Sequence, residues 1–228
     1  MIHAAYGADD PPSQQQRPIP GLTHLRRSVV SGPAAETARA LLGRSIVRDT
    51  ASGRRVARIV ETEAYGGPGD RASHARNGRT PRTAVMFGPP GYAYVYLVYG
   101  MHHCLNVVCG DDGQAAAVLI RAVEPVQGQA VMRARRGGRA GADARLCAGP
   151  GKACRALDID RSFSGIDLIG DERLWLADDP EHAPLDDGDI VVGPRIGVDY
   201  AGPQDAMRPW RFGIAGSPSL SWPFPGDQ

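Results

Sequence analysis

Hydrophobic and polar positions along the 228 residues divide the chain into short strands and a few short helices. In "SGPAAETARALLG" the apolar residues Ala38, Leu41 and Leu42 recur at helical spacing, with Ser31 as start residue, Pro33 early and Gly43 as stop. "RSIVRDTASGRRVARIVETEAY" reads instead as two strands joined by a turn over 49–53. Strand side chains alternate, so Glu61, Glu63 and Tyr65 fall on one face of the second strand. "GYAYVYLVYGMHHCLNVVC" is a further β pair in which Tyr92, Tyr94 and Tyr96 share a face and Tyr99-Gly100 marks the turn. "AAAVLIRAVEP" is almost continuously apolar, as in a central strand, and carries Arg121 near its exit.

Helical spacing returns at Val126, Ala130, Val131 and Ala134. "DARLCAGPGKACRALDI" reads as helix, turn and helix, which sets Lys152 near a helix start. Free backbone N–H groups and a cation would converge there on an anion. The last third reads as short strands and loops, and no internal repeat is found. Hairpin-connected strands among a few helices predict an α+β domain with an antiparallel sheet. The chain divides into an N-terminal tail over 1–18, one domain over 19–220 and a C-terminal tail over 221–228.

Composition narrows the class of protein. With 42% apolar residues the chain is globular, and 29 glycines and 19 prolines predict many loops. No apolar run approaches the roughly 20 residues of a membrane span, and the N-terminus lacks a signal peptide's apolar core. The expectation is a soluble cytoplasmic protein and a monomer, associated with the nucleoid if bacterial. Cys104, Cys109, Cys147 and Cys154 form no CxxC pair, so buried free thiols are expected rather than a zinc site. His102 and His103 beside Cys104 are read as non-ligands for the same reason. The net charge of +1 hides a division: residues 44–161 hold 18 basic and 10 acidic side chains, residues 162–228 hold 4 and 12. A basic middle suggests a polyanionic partner.

The chemistry concentrates in "RIVETEAYGGPGDRASHARNGRTPR". Two carboxylates at a sheet rim would repel one another and raise at least one proton affinity, which suits acid–base work. The plain alternative is an exposed strand face paired with arginines. Tyr65 offers a flat ring, His74 on the following loop offers an edge, and Arg71, Arg76, Arg79 and Arg82 surround that histidine. Four of the seven tyrosines lie in "GYAYVYLVYG", and rings beside positive charge are how proteins stack nucleobases. A glutamate could then activate water against a sugar C1′ while a purine leaves. Lys152, in the Gly-Pro-Gly turn, suits a phosphate better than a Schiff base. There is no Walker loop, GxSxG elbow or HExxH motif.

"ARALLGRSIVR", "ARIVETEAYGGPGDRASHARNGRTPR", "MFGPPGYAYVYLVYGMHHCLNVV", "AVLIRAVEP", "LCAGPGKACRALDI" and "RIGVDYAG" closely resemble the alkyladenine (3-methyladenine, methylpurine) DNA glycosylase family across roughly residues 21–217. The resemblance implies a curved antiparallel β-sheet core with surrounding helices and a protruding β-hairpin. It implies a monofunctional enzyme of base excision repair acting on duplex DNA with damaged purines: 3-methyladenine, 7-methylguanine, hypoxanthine and ethenoadenine. Glu63 falls at the water-activating position and Arg121 at the group that helps hold water and phosphate. Tyr65 and Tyr96 match the rings that sandwich the flipped base, His74 its hydrogen-bonding edge, and Asn106 the side chain obstructing a guanine 2-amino group. Tyr99 matches the intercalating residue; Met101, Arg79, Arg82, Lys152 and Arg161 match DNA contacts.

The resemblance leaves Glu61 without a catalytic role and implies neither metal nor cofactor. His102 stands where relatives often have tyrosine, and the loop from His74 to Met86 is one residue shorter than in some of them. Two other readings stay open: a non-catalytic damaged-DNA-binding module of the same fold, and a different enzyme on a related fold that handles small nucleotide-like substrates.

Overall fold

The computed structural model describes residues 19–137, 142–180 and 185–225; the tail expected over 1–18 lies outside them. Nine strands form one antiparallel sheet: β1 (Thr23–His24), β2 (Ser45–Arg48), β3 (Arg55–Tyr65), β4 (Ala93–Val98), β5 (His102–Val108), β6 (Ala117–Gln127), β7 (Leu174–Asp178), β8 (Ile190–Gly193) and β9 (Arg211–Ile214). The spatial order is β1-β7-β2-β3-β6-β5-β4, with β9 joining β3 and β8 joining β9. Helices α1 (Ala34–Leu41), α2 (Gln129–Arg135), α3 (Pro150–Leu157) and α4 (Pro203–Ala206) surround it. This is the α+β architecture that the hairpin-rich pattern predicts, a curved half-barrel sheet with helices around it.

Side-chain alternation gives the sheet two unlike faces. Ala64, Val95, Leu105, Val107, Val118 and Ile120 point to the main core together with Ala38 and Leu41 of α1 and Ala153 and Leu157 of α3. Burying each large aliphatic chain there contributes about 1.5–3 kcal/mol. Thr62, on the same face, satisfies its hydroxyl by donating to the Ala38 carbonyl at 2.9 Å. The intervening positions point the other way. There Tyr94, Met86, Val108 and Ala117 form a second cluster, with Tyr92 and Tyr96 packed against it.

Three local expectations change. Ser31 is not the helix cap: Pro33 is, and the Ser31 hydroxyl instead donates to the Arg27 carbonyl at 2.9 Å. Val126 lies in β6 rather than opening a helix, because Gly128 takes a left-handed φ of 83° and α2 starts only after it. The chain does not become a tail at 221. Ser221 bonds Glu61, the Trp222 and Pro223 carbonyls accept from Arg211, and Phe224 is buried.

Candidate active site

β3 changes neighbours along its length: β2 pairs with Arg55–Arg58, whereas β9 pairs with Glu61, Thr62 and Glu63. With β6 on the other side, the two glutamates lie in the middle of the sheet, not at its rim, and both are 0% exposed. An exposed strand face is therefore excluded. Two bulges set the local geometry. Ile59 pairs with Val123 and Glu61 with Ala122, leaving Val60 extra; Thr62 then pairs with Ile120, leaving Arg121 extra. A bulge re-aims the side chain it carries. Arg121 reaches both carboxylates, Nε to Glu61 Oε1 and Nη1 to Glu63 Oε1, each at 3.1 Å. Arg211 adds a second guanidinium on Glu61 Oε1 at 3.1 Å. The repulsion expected of a bare glutamate pair is thus offset by two cations. Burial alone would lower the Arg121 pKa, but Glu63 and Glu61 outweigh it and the net shift is upward.

Glu63 has two further donors. The Ile196 N–H meets Oε1 at 2.7 Å and the Tyr65 hydroxyl meets Oε2 at 2.7 Å. Burial and the neighbouring Glu63 push the Tyr65 phenol well above its ordinary value, so it keeps the proton it donates. A carboxylate oxygen has about two lone-pair sites. Oε2, with this one partner, keeps capacity for a water.

Above Glu63 opens a cavity of about 290 Å³, lined by Tyr65, His74, Tyr94, Tyr96, Asn106 and Arg121 among others. This is near the lower end of small-molecule pockets. Tyr65 on β3 and Tyr96 on β4 are separated by β6 and β5, and both line the pocket together with Leu119 and Asn106. Asn106 is buried, its amide donating to the Tyr94 carbonyl at 3.1 Å. His74 stands edge-on to Tyr96, with ring centroids 4.5 Å apart at 75°. Its Nδ1 lies 3.0 Å from the Tyr94 hydroxyl. Burial, with Arg82 and Arg76 nearby, pulls the His74 pKa down from 6.5 to about 4, so the ring is neutral at neutral pH.

Of the charged and exposed residues singled out in the sequence, only some reach this pocket. Tyr99 lines its mouth and is 88% exposed at the β4–β5 turn, with Met101 beside it. Arg82 places its guanidinium 5.6 Å from the Tyr96 ring. Arg76 lies 5.6 Å from the Tyr200 ring, and Arg71 lies by Gly202 at the start of α4, its backbone N–H meeting Asp205. Arg79 and Arg161 are exposed, and Lys152 sits in the first turn of α3, just past the pocket-lining Pro150. The four cysteines are buried and unpaired, as expected. Among the described residues no cluster of His, Cys, Asp or Glu could hold a metal ion, and no helix is long and apolar enough to cross a membrane.

Sequence reasoning missed several residues of the site. Arg195 pairs with the buried Asp70 at 2.6 Å and lies between Tyr65 and Trp210, 4.9 and 5.2 Å from their rings, fixing Tyr65 from behind. Ile196, Arg211 and Ser221 reach the glutamates from far along the chain. The run "RIGVDYAG" was a signal for Arg195 and Ile196, but nothing local marked which atoms it would offer.

Fold and site together define an α+β protein with an acid-floored, tyrosine-walled pocket beside a projecting hairpin. The chain belongs to the methylpurine-DNA glycosylase family, which matches residues 28–218. A "Putative 3-methyladenine DNA glycosylase" of Methanocella arvoryzae is 49% identical over 203 residues, 89% of this chain and 98% of its own. A protein of the same name from Anaeromyxobacter dehalogenans is 53% identical over 190 residues, 83% of this chain and 81% of its own. The "DNA-3-methyladenine glycosylase" of Mus musculus is 47% identical over 201 residues, 83% of this chain and 58% of its own. Membership of this family supports DNA glycosylase activity in general.

Proposed function

We propose that the protein is a monofunctional DNA glycosylase of base excision repair that takes alkylated or deaminated purines out of duplex DNA. Its substrates are 3-methyladenine, 7-methylguanine, hypoxanthine and ethenoadenine. Flipping costs a few kcal/mol, least where the base is damaged or mispaired, so the DNA itself supplies part of the selection. The flipped base stacks between Tyr65 and Tyr96, meets His74 at its edge, and is kept from carrying a 2-amino group by Asn106. Tyr99 fills the gap left in the duplex, with Met101 beside it. Arg79, Arg82, Lys152 and Arg161 hold phosphates.

Glu63 takes a proton from a water as the water oxygen bonds to C1′. The C1′–N bond breaks and its electron pair leaves with the purine. 3-Methyladenine, a cation before cleavage, leaves neutral; hypoxanthine must gain a proton as it goes. The observation that carries this reading is the setting of Glu63: a fully buried carboxylate at the pocket floor, held by Arg121, Ile196 N–H and the Tyr65 hydroxyl. Lys152, the one lysine, does not line the pocket, which speaks against an amine nucleophile. The protein acts as a monomer in the cytoplasm, on the nucleoid in a bacterium, without cofactor.

The test is base release from duplexes carrying one hypoxanthine or ethenoadenine under excess protein, read by alkaline cleavage, with alkylated DNA assayed for free 3-methyladenine. Wild type should release base; Glu63→Gln should not, while still binding the duplex. Binding without release from any substrate would replace the enzyme by a damaged-DNA reader. Release surviving Glu63→Gln would keep the enzyme and overturn its mechanism.

A further inference from the structure

Residues 221–224 lie beyond the stretch that matches the family, yet Ser221 bonds Glu61, the carboxylate that shares Arg121 with Glu63. The Ser221 N–H donates to Glu61 Oε2 at 2.5 Å, and its hydroxyl donates to Glu61 Oε1 at 2.9 Å. The same hydroxyl oxygen accepts from Arg121 Nη2 at 3.1 Å. Arg121 thus spans Glu61, Ser221 and Glu63 with one rigid guanidinium. Next along the chain, the Trp222 and Pro223 carbonyls accept from Arg211 at 3.1 and 2.9 Å, and Phe224 lies 3.7 Å from its guanidinium carbon. Arg211 in turn donates through Nε to the Pro194 carbonyl at 2.9 Å, two residues before the Ile196 N–H that binds Glu63. Two chains of bonds therefore run from this segment to Glu63, one through Arg121 and one through the 194–196 loop.

We propose that residues 221–224 are a strap that belongs to the catalytic apparatus, with Ser221 a positioning residue that acts on Glu63 through Glu61 and Arg121. The inference rests on the glycosylase reading above. Guanidinium–carboxylate contacts are strong and directional, and a buried charge left without a partner is costly. Glu61 faces both Arg121 and Arg211, and the Ser221 hydroxyl occupies the corner between Glu61 and Arg121. Without that hydroxyl, Arg121 has only the two carboxylates to choose between and can swing toward either. Glu63 then keeps its place in the fold but not its alignment on the water. A misalignment of this kind slows the chemical step far more than binding.

The experiment uses the full chain and a duplex with one ethenoadenine, whose fluorescence changes when it leaves the base stack for the pocket. Ser221→Ala should keep that fluorescence change and the duplex affinity, while single-turnover base release slows about tenfold to a hundredfold, the effect of one hydrogen bond to a charged group. Ser221→Thr, which retains the hydroxyl, should recover most of the rate. Glu61→Gln serves as a second variant and should separate docking from cleavage in the same way. Release by Ser221→Ala within twofold of wild type overturns the proposal. So does a parallel loss of docking, affinity and rate that threonine does not rescue, since that marks a merely structural role. If wild type itself releases no base, the glycosylase reading fails instead, and the two failures are told apart by that one control.

Discussion

His74 shows how far the fold changes a single side chain. Its pKa falls from 6.5 to about 4, chiefly through burial and then through Arg82 and Arg76. Between those values the unfolded chain takes up a proton that the folded chain refuses, so acid favours unfolding there. The contribution of neutral His74 is complete above pH 6.5 and drains away as the pH falls toward 4. Melting temperatures of wild type and His74→Gln from pH 7.5 down to 4.5 should therefore converge or cross, wild type losing more; parallel curves would sink the assignment. Tyr65 makes two contacts that one substitution separates. Tyr65→Phe keeps the ring beside Arg195 but removes the hydroxyl on Glu63. Base release should fall about tenfold or more while lesion binding stays near wild type, measured by single turnover and titration. At this scale the sequence was legible where the neighbours were local. Glu63 and Tyr65, two apart on one strand, were placed together by alternation alone. Ile196, Arg211 and Ser221 were not, because their contacts with the glutamates span 133, 150 and 160 residues and leave no periodic trace.

The β4–β5 hairpin turns on a residue in a strained backbone conformation. Tyr99 and Gly100 have φ of 51° and 69°, and the Met101 N–H closes the turn on the Val98 carbonyl at 3.1 Å. Two successive positive φ values are the mark of a type I′ turn, which favours Asn-Gly over a bulky first residue. A tyrosine held in the left-handed region costs about 1–2 kcal/mol, and this one is almost wholly exposed, so packing does not repay it. Tyr99→Asn should raise the melting temperature while weakening affinity for a lesion duplex at least tenfold. Opposite signs in the two measurements are what a strained residue kept for binding requires; a loss of both would make Tyr99 structural. The hairpin itself was readable from "YVYLVYGMHHCLNVV", since strand alternation and a glycine turn are local signals. The bulges at Val60 and Arg121 were not, because a bulge is a mismatch between two strands and neither strand alone contains it.

Across the whole molecule the charge division of the chain becomes a division of the surface. Acidic residues of the final third meet arginines from the chain's first part: Asp167 pairs with Arg27, Asp187 with Arg39 and Asp178 with Arg44. For Arg79, Arg82, Lys152 and Arg161 no ion pair occurs among the described residues. Lys152 lies in the first turn of α3 next to Gly151, which faces His102 beside the β4–β5 turn, and Arg82 stands at the Tyr96 ring. The acidic third thus pairs with cations elsewhere and not with the proposed phosphate contacts. If these four each meet one phosphate, the logarithm of duplex affinity should fall with that of salt at a slope of about −4. Lys152→Ala should weaken binding to damaged and undamaged duplex alike and reduce the slope by about one. Arg39→Ala, which removes a cation already engaged by Asp187, should leave the slope unchanged. Equal slopes for wild type and Lys152→Ala would take Lys152 out of the DNA contact, and a changed slope for Arg39→Ala would place the duplex on the wrong side of the sheet. The pair of variants therefore locates the bound DNA as well as counting its contacts.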